Sequence, residues 1–160
     1  MTPAINTAQK AGIVFQTHQY EHDPSAEAYG EEAAEKLGVP GERVFKTLVV
    51  AVSGRELAVA IVPVPCQLDL KVFAKAVGAK KVRMASPDDV ERSTGYVLGG
   101  VSPLGQKKAL PTVIDRSAEG LLSMFVSGGR RGLEIELSPQ DLCRLTRGRF
   151  ADIARGSQDA

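Results

Sequence analysis

Apolar positions alternate with polar ones, or run together, in seven short segments of the chain. Such patterns are typical of half-buried and fully buried β-strands. The tetrapeptide at 53–56 (Ser-Gly-Arg-Glu) lies between two β-branched runs and predicts a hairpin turn. The predicted strands are 14–20, 44–52, 57–62, 81–85, 112–115, 124–127 and 133–137.

Capping residues and glycine stops predict five short helices among these strands. Thr2, Ser86 and Ser138 each place a capping hydroxyl directly before a proline at the first helical position. The predicted helices are 25–37, 70–77 and 139–145, with two more that begin at residues 3 and 87. Because strands and helices mix without a strict βαβ rhythm, the sequence predicts an α+β domain with a mixed, mostly antiparallel sheet.

The composition is that of an ordinary globular protein, with 160 residues of which 43% are hydrophobic. No apolar run approaches the ~20 residues that span a bilayer, and the first residues lack the features of a secretory signal. We therefore expect a cytoplasmic protein with no membrane partner. Cys66 and Cys143 are too few for a disulfide framework or a zinc site, and His18 and His22 would not share a helix face. We expect no metal and no cofactor.

Basic and acidic residues nearly balance, since 20 of one and 19 of the other give a net charge of +1. A protein that binds nucleic acid through wide phosphate coverage is usually much more basic. Any contact with RNA is therefore expected to be local, and each basic cluster is equally compatible with a solvated face. The candidate clusters are Lys80-Lys81 with Arg83, Lys107-Lys108, Arg130-Arg131, and Arg144 with Arg147 and Arg149.

The segment 99–108 (Gly-Gly-Val-Ser-Pro-Leu-Gly-Gln-Lys-Lys) combines three glycines, a proline and two lysines. Paired glycines let backbone N–H groups approach a ligand closely, which suits an ester carbonyl or a phosphate. A tight connection between two strands is the alternative interpretation. A P-loop is excluded, because Gln106 stands where that motif needs lysine and no Ser or Thr follows.

Two further segments accompany this loop: 45–48 (Phe-Lys-Thr-Leu) and the second glycine-rich loop 127–134 (Ser-Gly-Gly-Arg-Arg-Gly-Leu-Glu). Together with 92–96 (Arg-Ser-Thr-Gly-Tyr) and 20–24 (Tyr-Glu-His-Asp-Pro), they resemble the YbaK/EbsC family of free-standing aminoacyl-tRNA editing proteins. The resemblance runs nearly end to end, so we expect one domain over 1–154 and a flexible tail over 155–160.

This resemblance implies a curved, barrel-like sheet with helices packed outside it. It also implies a trans-editing hydrolase that deacylates mischarged Cys-tRNA(Pro), in which the substrate thiol attacks its own carbonyl to form a cyclic thioester. The expected partners are the acceptor end of tRNA(Pro) and prolyl-tRNA synthetase, with no DNA partner. Two alternatives stay open: a deacylase of Ala-tRNA(Pro) or another mischarged tRNA, and a non-catalytic module that binds tRNA or the synthetase.

By the same resemblance, Lys46 holds the terminal adenosine of tRNA, and 99–103 is the family's G-x-x-x-P loop at the scissile bond. Without the resemblance, Lys46 is more simply an exposed lysine on a strand. Backbone N–H groups of 99–102 and 127–129 are candidate donors to the carbonyl oxygen. Glu134 stands where the family leads us to expect Asp. The predicted catalytic residues are Lys46, Gly99, Gly100 and Ser102. The predicted substrate-binding residues are Tyr20, Thr47, Val101, Pro103, Ser127, Gly128, Gly129 and Glu134.

Overall fold

The computed structural model describes residues 1–26 and 29–156, and at Tyr29 it describes the backbone only. This part of the chain contains ten strands and five α-helices. The helices are α1 (Pro3–Ala11), α2 (Tyr29–Leu37), α3 (Leu70–Ala76), α4 (Pro87–Thr94) and α5 (Pro139–Thr146). The strands are β1 (Phe15–Gln19), β2 (Phe45–Ser53), β3 (Glu56–Pro63), β4 (Gln67–Leu68), β5 (Arg83–Met84), β6 (Thr112–Asp115), β7 (Met124–Ser127), β8 (Leu133–Leu137), β9 (Arg149–Ala151) and β10 (Ala154–Arg155).

The strands form three sheets, in the orders β5-β2-β3-β6-β9, β1-β8-β7 and β10-β4. The β3–β6 and β6–β9 pairs are parallel, and the other pairs are antiparallel. The predicted α+β class with a mixed, mostly antiparallel sheet is thus confirmed. The barrel-like closure is not confirmed, because none of these sheets closes on itself within the described residues.

Side-chain caps start the helices where the sequence predicts them. The hydroxyls of Thr2, Ser86 and Ser138 accept hydrogen bonds from backbone N–H groups three residues ahead, at 3.1–3.2 Å. These bonds satisfy donors that have no partner inside the helix. The hairpin of β2 and β3 also forms as predicted, with Ser53 opposite Glu56.

Three features differ from the sequence-based expectations. The helix predicted at 25–37 begins at Tyr29 in the structure, and residues 27 and 28 lie outside the described part. The short strands β4, β9 and β10 were not predicted. The loop after α4 leads into β6, so it joins a helix to a strand rather than two strands. The flexible tail over 155–160 stays a prediction: Arg155 belongs to β10, and residues 157–160 lie outside the described part.

The β2–β3 hairpin separates two hydrophobic clusters, because successive side chains of a strand point to opposite faces. Val49 belongs to the larger cluster, which also packs against α1, α4 and α5. Val50 belongs to the second cluster, together with the fully buried Phe73 of α3. Lys46 lies at a position that shares the face of Leu48 and Val50, so it is on the side of the sheet that α3 covers.

Candidate active site

The first half of β2 has one edge with no strand partner in the described part of the chain. β5 pairs with β2 only at Val50 and Ala51, so residues 45–48 pair with β3 alone. Next to this stretch lies a cavity of about 290 Å³. Lys46 and Thr47 both line it, although neighbours on a strand point to opposite faces, because the cavity meets the strand at its unpaired edge.

The cavity, hereafter the pocket, brings together residues that are far apart in sequence. Seven of the twelve predicted site residues line it: Tyr20, Lys46, Thr47, Gly99, Val101, Ser127 and Glu134. The other five lie in the same two glycine-rich loops but outside the lining: Gly100, Ser102, Pro103, Gly128 and Gly129.

Lys46, on β2, contributes a positively charged side chain to the pocket wall. Its side chain is half-buried, and burial lowers the pKa of its ammonium group, an effect opposed by the nearby Cys66 and Glu31. Lys46 forms no ion pair with any described residue. Glu31 lies nearby but forms no ion pair with this half-buried ammonium group, so a ligand phosphate could restore the solvation that Lys46 has lost.

Thr47 presents an unsatisfied polar group to the pocket. Its hydroxyl oxygen is buried and has no hydrogen-bond partner among the described residues. A buried hydroxyl without a partner is costly, so such groups are rare and call for an explanation. A ligand in the pocket that donates or accepts a hydrogen bond at this point would satisfy it.

The first glycine-rich loop, 99–103, offers some of its backbone donors to the pocket and uses others internally. The N–H of Gly100 donates to the carbonyl of Val97 at 2.9 Å, so it is already occupied. The N–H groups of Gly99 and Val101 have no acceptor within the described part, and both residues line the pocket. Gly99 has a φ of +89°, a conformation that favours glycine.

Ser102 and Pro103 are buried behind the pocket wall and hold this loop in shape. The Ser102 hydroxyl accepts a hydrogen bond from the N–H of Leu104 at 3.2 Å, and its carbonyl accepts one from the Gln106 amide at 3.0 Å. The side chain of Ser102 is fully buried and turned into the fold. The structure thus gives it a positioning role within the loop.

The second glycine-rich loop, which follows β7, is also fixed by its own hydrogen bonds. The N–H of Gly128 donates to the carbonyl of Leu133 at 2.8 Å, and that of Gly129 donates to the Ser127 hydroxyl at 3.1 Å. These two donors are therefore occupied. The two loops touch, because the position of a Cβ on Gly100 lies 3.0 Å from the Cα of Arg130.

Glu134 and Tyr20 complete the pocket on the side of the three-stranded sheet. Glu134 lies on β8 opposite Ser127, and burial raises the pKa of its carboxyl group from 4.5 to about 8. At neutral pH it is largely a neutral acid that can donate a hydrogen bond. Burial, and then the Glu134 carboxylate, raise the pKa of Tyr20. The Tyr20 backbone N–H donates to the carbonyl of Gly132 at 3.0 Å, which anchors Tyr20 to the second loop.

Several lining residues were not predicted as site residues. Glu31 of α2 and Val64 reach the pocket only through tertiary packing, and nothing in their local sequence signals this position, whereas Leu98 directly precedes the predicted Gly99. Arg130 and Arg131 were singled out only as a possible basic patch, and they line the pocket mouth. The Arg131 guanidinium donates to the carbonyl of Leu98 at 3.2 Å and so links the two loops.

The lining contains no histidine and no cysteine among the residues described. Nor does that part of the chain contain a group of three or more His, Cys, Asp or Glu side chains placed to hold a metal ion. None of the helices it contains is long and apolar enough to cross a membrane. The pocket thus combines cations, unpaired backbone donors and apolar walls.

The cations and unpaired backbone donors of this pocket are groups that can bind an anion or polarise an ester carbonyl. The chain belongs to the family of the aminoacyl-tRNA editing domain, whose model matches residues 23–145. It is 46% identical over 123 residues to EbsC of Enterococcus faecalis, a protein provisionally named a Cys-tRNA(Pro)/Cys-tRNA(Cys) deacylase; the match covers 77% of this chain and 75% of EbsC.

Two other similar proteins are a prolyl-tRNA synthetase and a protein whose description refers to one. The proline–tRNA ligase of Geobacter metallireducens is 30% identical over 106 residues, which are 66% of this chain but only 18% of the ligase. A crystal structure provisionally described as a trans-editing enzyme for prolyl tRNA synthetase superposes with a TM-score of 0.84 at 25% identity, covering 96% of each chain. The family expected from the sequence motifs is therefore confirmed.

Proposed function

We propose that this protein is an aminoacyl-tRNA deacylase that hydrolyses the ester of mischarged Cys-tRNA(Pro), with the substrate thiol as nucleophile. The observation that carries the proposal is the chemistry of the pocket. It joins an unpaired cation and free backbone donors, yet its described lining holds no histidine or cysteine. Such a site can bind and polarise an ester but does not supply the usual protein nucleophile with its base.

The charges of the pocket suit the acceptor end of a tRNA. Lys46 is proposed to hold a phosphate of the terminal nucleotide, and Arg130 and Arg131 add positive charge at the mouth. The unsatisfied hydroxyl of Thr47 is available to a ribose or base of the same nucleotide. The apolar side chains Val101 and Leu48 line the space that remains for a small amino-acid side chain.

The ester carbonyl is expected to lie against the first loop. Negative charge develops on the carbonyl oxygen during attack, and donors aimed at that oxygen lower the barrier. The N–H groups of Gly99 and Val101 are the candidates, because those of Gly100, Gly128 and Gly129 already have partners. Removal of one such donor typically costs about 10²- to 10³-fold in rate.

The cysteinyl side chain then replaces the missing protein nucleophile. Its sulfur forms a bond to the carbonyl carbon, the bond from that carbon to the ribose oxygen breaks, and the thiol proton ends on the ribose hydroxyl. The products are deacylated tRNA and a cyclic thioester, which water opens to free cysteine. The protein contributes orientation and charge stabilisation, and alanyl or prolyl esters lack the attacking group.

Selection of tRNA(Pro) is proposed to require prolyl-tRNA synthetase. Support comes from the structural neighbour described as a trans-editing enzyme for that synthetase, and from the match within a proline–tRNA ligase. If a ternary complex forms, adding the synthetase should sharpen the preference for tRNA(Pro) over other cysteinyl-tRNAs.

The test is deacylation of Cys-tRNA(Pro), Ala-tRNA(Pro) and Ser-tRNA(Pro) by the wild type and by Lys46→Ala and Lys46→Arg. We expect the wild type to release cysteine and to spare alanine, and Lys46→Ala to lose at least ten-fold in kcat/KM, roughly the value of one charge-assisted contact. Lys46→Arg keeps the charge and should retain part of the activity. Cleavage of the alanyl ester at the same rate would favour the broader deacylase, and no cleavage of any ester would favour a binding module.

A further inference from the structure

A second electropositive site lies away from the pocket, in the segment 70–87. This segment holds Lys71, Lys75, Lys80, Lys81 and Arg83 and no acidic residue. The rest of the chain holds 15 basic and 19 acidic residues, a net charge of −4. Positive charge is therefore concentrated in one stretch of an otherwise mildly acidic protein.

All five cations are exposed, and none has an acidic partner in the part of the chain that the structure describes. Their side chains form no ion pair or hydrogen bond with any described residue. By contrast, Arg92, Arg116 and Arg144 elsewhere on the surface each lie within 4 Å of a carboxylate. Since the five positive charges are uncompensated, they create a local potential that attracts polyanions.

The fold gathers part of this charge around a groove of about 700 Å³. Its walls are the β2–β3 turn at 53–54, the end of β2 at Ala51, and the loop from Gly78 into β5. Lys80, Lys81 and Arg83 line it. The backbone N–H groups of Gly78 and Ala79 already donate to the carbonyls of Lys75 and Ala74, so the groove offers its positive charge through the three side chains.

The groove and the pocket lie on the same strand. Arg83 pairs with Ala51 of β2, five residues beyond Lys46, which is about 17 Å along an extended strand. Lys71 and Lys75 belong to α3, which packs on the face of β2 that Lys46 shares. A ligand that contacts both places must therefore span about 17 Å and carry negative charge at both ends.

We propose that this groove, lined by Lys80, Lys81 and Arg83, binds the phosphate backbone of the substrate tRNA beyond its aminoacylated end. The inference rests on the proposed function, because an RNA ester in the pocket makes the attached acceptor arm the polyanion closest to the groove. The contacts carry no base information, so they add affinity and orientation rather than sequence preference.

The test compares two substrates with the double variant Lys80→Ala/Lys81→Ala. One substrate is full-length Cys-tRNA(Pro), and the other is a short cysteinyl oligonucleotide that ends in CCA and cannot reach the groove. We expect kcat/KM for the full-length tRNA to fall about ten-fold. The slope of log kcat/KM against log salt concentration should become shallower by about two, one for each lost phosphate contact. The short substrate should react at the wild-type rate.

The matched control is Lys10→Ala/Arg116→Ala, which removes the same number of exposed charges outside every candidate cluster and should leave both substrates unaffected. Lys80→Arg/Lys81→Arg should restore the full-length rate. Equal rates of the Lys80/Lys81 variant and the wild type on full-length tRNA would overturn the inference, as would an equal loss on both substrates. A loss seen only with added prolyl-tRNA synthetase would also overturn it, in favour of a protein contact. In each case, cleavage of the short ester by the wild type leaves the proposed function standing.

Discussion

Gly100 is the point where the two glycine-rich loops meet, and substitution there should deform the pocket directly. A Cβ on Gly100 would lie 3.0 Å from the Cα of Arg130, 3.4 Å from its carbonyl carbon and 3.5 Å from its nitrogen. All three atoms belong to the backbone, so no side chain can rotate away to make room. The φ of Gly100 is not in the left-handed region, and the effect is therefore steric alone.

The size of the loss in stability and in kcat/KM depends on how far the second loop must move. Alanine requires a shift of a few tenths of an ångström, and the γ-methyl groups of valine require more. Overpacking of this kind costs about 1–3 kcal/mol in the free energy of unfolding. Displacement of a positioning group by about 1 Å can cost 10²-fold in rate. We expect kcat/KM for Cys-tRNA(Pro) to fall modestly in Gly100→Ala and about 10²-fold in Gly100→Val.

Gly120 provides the matched control, because a Cβ there meets no atom within 4 Å and its φ is not left-handed. Deacylation of Cys-tRNA(Pro) and chemical denaturation would be measured for valine at each position. Both variants should remain folded at the assay temperature, with activity lost in Gly100→Val alone. Equal kcat/KM for the two variants would refute the idea that the contact between the loops shapes the site.

Two further predictions concern stability. Because burial raises the pKa of Glu134 from 4.5 to about 8, the folded state holds a proton that the unfolded state releases, and this stabilisation is lost as pH rises through that window. The free energy of unfolding of Glu134→Gln, measured relative to the wild type by chemical denaturation, should therefore rise by about 3–5 kcal/mol as the pH increases from 5 to 9. A difference between the two proteins that does not change with pH would contradict the raised pKa. Thr2 caps α1, and its hydroxyl donates to the Gly128 carbonyl at 2.5 Å, so Thr2→Val should lose about 1–2 kcal/mol while Thr2→Ser stays near the wild type. Equal stability of the valine and serine variants would show that the hydroxyl does not matter.

Local signals explain why most of the fold could be predicted from the sequence. The caps at Thr2, Ser86 and Ser138 depend on three or four neighbouring residues, and their helices begin where expected. The β2–β3 hairpin is likewise set by a short turn between apolar runs. By contrast, β9 has three residues and pairs in parallel with β6, a contact between distant segments that no local pattern encodes.

The candidate site divides in the same way. Lys46 and the glycine-rich loops could be selected because their motifs resemble those of a known family, and the structure brings them to one pocket. Which backbone donors are free depends on tertiary hydrogen bonds, so the sequence did not distinguish Gly100, whose N–H is occupied, from Val101. The inward orientation of the Ser102 hydroxyl and the presence of Glu31 in the wall likewise depend on packing between elements.

The most direct test of the proposed chemistry is whether the substrate supplies the nucleophile. Wild-type protein would be given Cys-tRNA(Pro) and the same tRNA carrying S-methylcysteine, which fills similar space but has no thiol to attack the ester. We predict rapid release of cysteine and no release of S-methylcysteine above the uncatalysed rate, because the described pocket lining holds no histidine or cysteine to replace the thiol. Cleavage of both esters at similar rates would contradict the proposal and would assign the attack to water.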